Sequence, residues 1–301
     1  MTENIPDNFG ALEDNLSNCD SARVVILPVP YEGTTTWGGG TAKGPRAVIE
    51  ASQNMELFDE ELWCDTSTTG IHTTPPVSCP DNPEEMTKLV ERKCRELLDA
   101  GKLVVGIGGE HSVAVGLARA HAGKFKKLTV LQLDAHADLR DSYQGTKYSH
   151  ACVMRRILES CPITQVGIRS LSEEEAPILA GEDVRTFFAH KIREMPGWRE
   201  RVADTLTENV YITIDIDVFD PSLVPGTGTP EPGGLNWWQV TGLLHDVIER
   251  RNVVGFDVCE VMPLKNNRVS EYVAAKLIYR TLGYIFMAPR SPHLLRQWKG
   301  R

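Results

Sequence analysis

The 301-residue sequence has no apolar run long enough to span a membrane and no repeated or low-complexity segment. Its amino terminus, MTENIPDNFGALEDN, is acidic and lacks the apolar core that a secretory signal requires. Basic residues are in the minority, with 32 Lys and Arg against 41 Asp and Glu. The resulting net charge of −9 disfavours nucleic acid and mildly favours a cationic substrate, although surface acid that only aids solubility gives the same value. We therefore expect a cytoplasmic protein with no membrane and no nucleic-acid partner.

The sequence also lacks paired cysteines. The seven cysteines are odd in number and scattered, and no two of them form a CxxC motif. In a chain of this size they are expected to be reduced thiols, which excludes a disulfide framework. They are Cys19, Cys64, Cys79, Cys94, Cys152, Cys161 and Cys259.

A regular alternation of apolar, β-rich runs with helical patterns is present throughout most of the chain. Strands are predicted at 23–29, 103–107, 128–133, 163–168, 184–188, 210–216 and 253–258. Helices are predicted near 44–52, 83–100, 112–122, 149–160, 172–180, 196–206, 236–250 and 270–284, with Asn236 as a helix cap. Segments rich in Gly, Pro and Thr at 31–43, 64–82 and 218–235 are predicted loops.

This alternation predicts an α/β fold. Nearly continuous apolar strands that alternate with helices form parallel sheets covered by helices on both faces. We therefore expect a three-layer α/β/α sandwich with a mostly parallel sheet. Residues 1–22 are expected to be an amino-terminal tail, and residues 23–301 a single domain.

Acidic residues and histidines follow four of the predicted strands, at the point where each strand ends. The four segments are VVGIGGEHS (104–112), VLQLDAHAD (130–138), YITIDIDVFD (211–220) and VVGFDVCE (253–260). The carboxyl ends of parallel strands share one edge of the sheet, where α/β proteins bind their ligands. The four segments are therefore expected to meet in space. One such segment alone would be weak evidence, because many strand-end aspartates only cap helices or turns.

The spacing within these segments predicts a metal site. Residues two apart in an extended chain point to the same side, and a histidine after a Gly-Gly turn lies at the same edge. Four carboxylates packed with two imidazoles need cations to offset their repulsion, and this donor set suits a hard or borderline ion such as Mn²⁺. Two ions about 3.5–4 Å apart would hold a bridging hydroxide. We predict two Mn²⁺ per chain, with the ligands His111, Asp134, His136, Asp138, Asp215 and Asp217.

Six segments together resemble the signatures of the ureohydrolase family, which includes arginases, agmatinases, guanidinobutyrases and formimidoylglutamases. These segments are GGEHS, DAHAD, SHA, DIDVFDP, TGTPEPGG and FDVCEVMP, in chain order. The resemblance extends from about Arg23 to the last predicted helix. The stretches 31–52 and 227–235 are most similar to agmatinases.

The resemblance implies a fold of the arginase/deacetylase type and roles for individual residues. The two-manganese ligands of the family match the six residues given above. Its proton-shuttling histidine matches His150, and its guanidinium-binding glutamate matches Glu260. Glu110 and Ala151 depart from the usual Asp and Gly, which is expected to alter metal orientation slightly and to narrow the space beside His150. The resemblance also implies a homo-oligomer, either a trimer or a hexamer.

We therefore expect manganese-dependent hydrolysis of a small guanidino substrate by a metal-bridging hydroxide. The resemblance favours agmatine, or a relative such as aminopropylagmatine, which would yield urea and an amine of polyamine biosynthesis, putrescine in the case of agmatine. In the loop 139–149, Asp141 would disfavour a substrate carboxylate, although Arg140 and Lys147 offer donors for one.

Several alternatives remain open at this point. Another ureohydrolase would act on guanidinobutyrate, guanidine, arginine or formiminoglutamate. A metal-dependent deacetylase would hold a single zinc-type ion, and a non-catalytic paralogue would bind metal or a partner without turnover. A dinucleotide-binding module is the weakest alternative, because VGIGGEH lacks the GxGxxG spacing.

Overall fold

The computed structural model describes residues 5–287, and its regular elements follow the alternation of the sequence. The strands in this part of the chain are β1 (Val24–Val29), β2 (Phe58–Asp59), β3 (Cys64–Asp65), β4 (Ile71–Thr73), β5 (Leu103–Gly108), β6 (Leu128–Leu133), β7 (Ile163–Ile168), β8 (Val184–Phe188), β9 (Asn209–Asp215) and β10 (Asn252–Cys259). The helices are α1 (Asp14–Ser17), α2 (Gly44–Ser52), α3 (Pro83–Asp99), α4 (Ala114–Lys124), α5 (Val153–Ile157), α6 (Ala176–Leu179), α7 (Ala189–Ile192), α8 (Trp198–Thr205), α9 (Trp237–Arg250) and α10 (Val269–Met287).

The central sheet has eight strands in the order β4-β1-β5-β10-β9-β6-β7-β8, and each neighbouring pair is parallel. Successive side chains point to opposite faces of a strand, so β1 contributes Val24 and Ile26 to one apolar cluster and Leu27 and Val29 to another. Both faces of the sheet are therefore buried, which explains why the strands are apolar almost throughout.

Helices cover both faces of this sheet. Helices α2, α8, α9 and α10 pack in the cluster on one face, and α3, α4 and α5 pack in the cluster on the other. The predicted three-layer α/β/α sandwich is therefore confirmed, and every pairing within its described sheet is parallel. All seven cysteines are free thiols, as expected.

The structure differs from the predictions in the short elements. The predicted loop 64–82 contains the edge strand β4 and half of the antiparallel hairpin β2–β3. These strands have two or three residues, which is too short for a period-2 pattern to be visible. The helices predicted at 149–160 and 172–180 are shorter, and the first begins as a 3₁₀ turn, His150–Cys152, before α5.

The described part of the predicted tail packs on the domain. Phe9 and Leu12 are buried in the same apolar cluster as α2. The division into residues 1–22 and 23–301 stays a prediction, and residues 288–301 lie outside the described part of the chain. Among residues 5–287, no helix combines the length and the apolar character needed to cross a membrane.

The strand order explains how the four chemistry-bearing segments meet. Strands β5, β10, β9 and β6 are consecutive neighbours at the centre of the sheet. Because all four are parallel, their carboxyl ends lie side by side at one edge. The segments that follow them are therefore adjacent in space, although they come from widely separated parts of the sequence.

Candidate active site

His111 lies at the centre of the first group of predicted metal ligands. It begins a 3₁₀ turn after β5. Its Nδ1 is 3.1 Å from Asp134 Oδ2, 3.0 Å from Asp138 Oδ2 and 3.7 Å from Asp215 Oδ2. All four side chains are buried. One imidazole nitrogen thus faces three carboxylates that come from two different strand ends.

A second group forms around His136, whose Nδ1 is 3.0 Å from Asp217 Oδ2 and 3.7 Å from Asp134 Oδ1. Asp134 belongs to both groups, because its Oδ2 faces His111 and its Oδ1 faces His136. In each group, the potential ligand atoms of one imidazole and two carboxylates lie within 4.8 Å of one another. The six predicted ligands are therefore brought together as two adjoining sets that share one carboxylate.

Buried polar contacts behind His111 orient its ring. Its Nε2 is 2.8 Å from Thr213 Oγ1, and the Thr213 hydroxyl donates to Asp257 Oδ1 at 2.9 Å. Tyr211 donates its hydroxyl to the other oxygen of Asp257 at 2.6 Å. Because the Thr213 proton is directed to Asp257, Thr213 accepts from Nε2–H, which leaves Nδ1 as the ring nitrogen that faces the carboxylates. Outer contacts of this kind hold histidine in the form that binds metal.

These residues fit a pair of divalent cations. Asp217 Oδ2 is buried and accepts no hydrogen bond within the described structure, although a histidine nitrogen lies 3.0 Å away. Burial and the charge of Asp134 raise the pKa of Asp138 to about 7. Burial and the charge of Asp217 raise the pKa of Asp215 well above its usual value. Carboxylates packed in this way need cations to stay ionised, and a set of oxygens and imidazoles suits hard or borderline ions.

Two residues of the site have left-handed backbone conformations. Asp138 has φ 54° and Glu260 has φ 63°. Residues other than glycine adopt this region seldom, and such strain is concentrated at functional sites. Both side chains line the same cavity. The backbone therefore directs a predicted ligand and the predicted guanidinium-binding residue toward one space.

Glu260 follows β10 and is buried. Its Oε1 accepts a hydrogen bond of 2.7 Å from the backbone N–H of His111. Burial, with a further contribution from the charge of Glu110, raises the pKa of Glu260 to about 8. A bound cation would favour its ionised form, so the site is suited to a positively charged ligand.

His150 lies in the 3₁₀ turn before α5 and is held by the loop 31–43. Its Nδ1 is 3.2 Å from Thr34 Oγ1, and its backbone N–H donates to the same oxygen at 3.0 Å. Burial lowers the pKa of His150 to about 4, so the imidazole is neutral at pH 7. Its ring also meets Tyr143 edge-to-face, at 5.9 Å between centroids.

A cavity of about 180 Å³ joins these groups. His150, Glu260 and four of the predicted ligands line it, whereas Asp134 and Asp217 are buried and do not. Residues 35–38 and 228–229 form part of the remaining wall, and Ala151 lies in the wall next to His150.

Glu110 precedes the predicted ligand His111 in the sequence, but its side chain binds the loop 31–43. Its carboxylate accepts from the backbone of Gly33 at 2.8 Å and of Thr34 at 2.7 Å, and from the hydroxyls of Thr34 and Ser112. Glu110 therefore anchors the loop that positions His150. Nothing in the sequence distinguishes Thr34, because it lies in a run of three threonines. Asp257 could have been identified from the sequence, because it is an acidic residue within an apolar strand.

Contrary to the prediction, Asp141 does not line the cavity. It is exposed, and its carboxylate lies 2.6 Å from Arg156 Nη2. Its neighbour Arg140 lines the cavity instead. Discrimination against a substrate carboxylate by Asp141 is therefore not supported, because the side chain is held outside the cavity wall.

The chain is similar to known proteins over most of its length. A model of the arginase family matches residues 22–283. The N(1)-aminopropylagmatine ureohydrolase of Synechocystis sp. is 38% identical over 288 residues, which cover 93% of this chain and 94% of that protein. The agmatinase of Pyrococcus horikoshii is 34% identical and matches 87% of this chain and 92% of its own.

Solved structures of ureohydrolases also resemble this chain. The agmatine ureohydrolase of Thermoplasma volcanium has a TM-score of 0.84 and 29% identity, and the superposition covers 93% of this chain and 94% of that one. The arginase of Bacillus caldovelox, at 21% identity, has the same fold with a TM-score of 0.76 over 87% of this chain and 98% of its own. Since the family model matches nearly the whole described chain, the protein belongs to the arginase family.

Proposed function

We propose that this protein is a ureohydrolase that hydrolyses agmatine, or the longer N(1)-aminopropylagmatine, to urea and the corresponding amine. The observation that carries the proposal is one cavity lined by Glu260, by His150 and by four of the predicted metal ligands, His111, His136, Asp138 and Asp215. The named relatives, an aminopropylagmatine ureohydrolase and an agmatinase among them, support the choice of substrate.

The proposed cofactor is a pair of Mn²⁺ ions. When bound, such ions lower the pKa of water to near neutrality and thereby supply a nucleophile for a poor electrophile such as guanidinium. The chain would hold them with two groups of ligands that share Asp134. The ligand residues are His111, Asp134, His136, Asp138, Asp215 and Asp217.

Glu260 would bind and orient the guanidinium. A carboxylate pairs with a planar guanidinium through charge-assisted hydrogen bonds, and the cation in turn keeps the buried carboxylate ionised. The His111 N–H donates to Oε1 and restrains the position of the carboxylate. The guanidinium would thereby be held beside the predicted metal ligands that line the same cavity.

His150 would move the proton that the reaction requires. Its Nδ1 faces Thr34, so Nε2 is the nitrogen available to the cavity. Because the ring is neutral at pH 7, Nε2 can accept a proton from the attacking water and donate it to the leaving amine.

The test is a urea-release assay with Mn²⁺ on agmatine, aminopropylagmatine, guanidinobutyrate, guanidine, arginine and formiminoglutamate. We expect kcat/KM for agmatine or aminopropylagmatine to exceed that for arginine by at least ~10²-fold, which corresponds to roughly 2.7 kcal/mol. The highest value for arginine or guanidinobutyrate would contradict the choice of substrate.

Metal analysis of the same preparation tests the class of enzyme. We expect two ions per chain, removal of activity by a chelator and its return with Mn²⁺. A single zinc ion per chain, together with deacetylation of an acyl-lysine peptide, would favour the deacetylase alternative. Metal binding without turnover of any of these compounds would indicate a non-catalytic paralogue.

The location and assembly remain part of the proposal. A cytoplasmic location is proposed from the free thiols, which a reducing compartment maintains, and a homo-oligomer, trimer or hexamer, from the resemblance. Size-exclusion chromatography with light scattering tests the assembly.

A further inference from the structure

Trp37 is a large apolar side chain exposed at the wall of the cavity. The residue is 84% exposed, the highest value among the large hydrophobic residues of the described chain. It lies in the same wall as Thr35, Thr36 and Gly38, on the loop that also carries Thr34. Leaving an indole in water forgoes a large burial energy, so a ligand that covers it would gain that energy.

The loop around Trp37 is held at both ends. Glu32 accepts hydrogen bonds from the backbone of Gly40 at 2.7 Å and of Ala42 at 3.0 Å, which closes the base of the loop. Its tip rests on the opposite wall, where a Cβ at Gly38 would lie 2.8 Å from the carbonyl oxygen of Gly228. The position of Trp37 on the wall is therefore determined by the fold of the loop.

The charges of the cavity wall leave the outer end of a cationic substrate without a carboxylate. The wall contains three carboxylates, of which Asp138 and Asp215 belong to the metal groups and Glu260 is proposed to bind the guanidinium. The remaining charged group is Arg140, which is paired with Glu174. A distal ammonium therefore needs another kind of partner.

Aromatic faces offer that partner, and two aromatic residues line the wall. The Tyr143 ring is already engaged, with Arg140 Cζ 5.1 Å from its centroid and His150 against it edge-to-face. No aromatic or cationic side chain of the described chain stacks on Trp37. Indole is the aromatic ring that attracts cations most strongly.

We propose that Trp37 determines specificity by binding the distal ammonium of the substrate against the face of its indole ring. This inference rests on the proposed function and specifies the part of the site that distinguishes an amine from a carboxylate. The electron-rich face of the ring attracts an ammonium and repels the carboxylate of guanidinobutyrate or arginine.

The test compares agmatine with pentylguanidine, in which a methyl group replaces the ammonium. We expect Trp37→Leu to lower kcat/KM for agmatine about 3- to 30-fold, the range of cation–π contacts, mainly through KM. The value for pentylguanidine should change less than about 2-fold, because that substrate forms no cation–π contact. Trp37→Phe, which retains an aromatic face, should recover most of the agmatine activity. Trp238→Leu is the matched control, since Trp238 is also exposed but lies outside the cavity wall.

Three results would overturn the proposal. Equal losses for both substrates would show that Trp37 acts as an apolar or structural residue, and unchanged kinetics would show that it does not contact substrate. A change in oligomeric state of Trp37→Leu but not of Trp238→Leu would place Trp37 at a subunit interface. In each case the wild-type enzyme still hydrolyses agmatine. Failure of the wild-type enzyme on agmatine would instead overturn the proposed function as well.

Discussion

Thr34 links Glu110 to His150, the residue that is proposed to move the proton. Its hydroxyl donates to Glu110 at 2.7 Å and accepts from the backbone N–H of His150 at 3.0 Å. The same oxygen lies 3.2 Å from His150 Nδ1. A buried carboxylate therefore fixes a hydroxyl, and the hydroxyl fixes the imidazole, so that the ring stays in one orientation at the cavity.

His150→Asn tests the role in proton transfer. Asparagine retains a hydrogen-bonding side chain but does not titrate, so we expect kcat to fall by ~10²–10⁴, the range typical of general acid–base groups. Metal content should stay at the wild-type level, as measured by elemental analysis. His190→Asn, at an exposed position on α7, is the matched control and should keep full activity. Loss of metal from His150→Asn would show instead that the residue is a ligand or a structural support.

Asp217→Ala tests the second group of proposed metal ligands, the one around His136. This residue contributes the buried oxygen that lacks a hydrogen-bond donor and lies 3.0 Å from His136 Nδ1. We expect the bound metal to fall from two ions per chain toward one, because the second group would retain only one imidazole and a shared carboxylate. Asp141→Ala, which removes an exposed carboxylate, should keep both ions. Equal metal content in the two variants would contradict the proposed ligand set.

The proposed site residues are recognisable in the sequence because acids and histidines follow four apolar strands, and the ends of parallel strands share one edge of the sheet. Asp134, His136 and Asp138 alternate with alanines, which shows in the sequence alone that they share one side. Thr34 is not recognisable, since its importance comes from contacts with residues 76 and 116 positions away. Trp37 is also missed, because exposure at a cavity depends on the path of the loop.

Among the secondary-structure elements, α10 holds the hairpin β2–β3 through a buried arginine. The Arg280 side chain is 2% exposed, and its Nε lies 2.6 Å from Asp59 Oδ2, while Nη2 lies 2.6 Å from Glu60. Glu61 binds the third nitrogen. Because Asp59 is fully buried, the guanidinium is needed to offset its charge.

Arg280→Met should therefore destabilise the protein strongly. The change leaves the Asp59 carboxylate buried without a cation, and breaking a buried pair in this way costs about 3–5 kcal/mol. Urea unfolding of the two proteins measures the difference. The control Arg46→Met removes two surface ion pairs, with Asp7 and Glu50, from a side chain that is 58% exposed, and it should change the free energy of unfolding by less than about 1 kcal/mol. Similar losses in both variants would mean that the buried cluster does not stabilise the hairpin.

The long elements are predictable because their local chemistry agrees with their final state. For α9, the predicted cap Asn236 is confirmed, and it forms a capping box with Gln239. Strand β4 and the hairpin are not predictable, because they are formed by pairing with β1 and by the contacts of α10 rather than by their own pattern. Tertiary contacts determine such short segments.

At the scale of the whole molecule, the position of the site follows from the order of the strands. The sequence predicts that acidic residues follow four of the strands, at the point where each strand ends. The order of the strands in the sheet, however, is not encoded in any local pattern. The structure makes these four strands neighbours at the centre of the sheet, which brings all four ends into one cluster. Open α/β sheets bind ligands at the carboxyl ends of their strands, so the cluster lies where the fold favours a site.

His121 connects the stability of the whole fold to pH. It lies on α4, beneath the centre of the sheet, and is fully buried. Its Nδ1 donates to the carbonyl of Leu117 at 2.7 Å, and its ring lies tilted against Tyr211 of β9, at 4.4 Å between centroids. A Cβ at Gly255 of β10 would lie 2.3 Å from Nε2, so the glycine makes room for the ring. Burial lowers the pKa of His121 to about 4.

Acid should therefore unfold the protein partly through this residue. The unfolded chain binds a proton at His121 near its ordinary pKa of 6.5, whereas the folded chain does not until about pH 4. The stabilising contribution is complete above pH 6.5 and is lost as the pH falls toward 4. Linkage predicts a loss of about 2 kcal/mol between pH 7 and pH 5 from this residue alone. In urea unfolding as a function of pH, His121→Gln, which does not titrate, should have a shallower slope than the wild type over this interval. Other acid-sensitive groups, including the metal ligands, are present in both proteins, so the difference between the two curves isolates His121. Parallel curves would show that the folded protein accommodates a protonated His121.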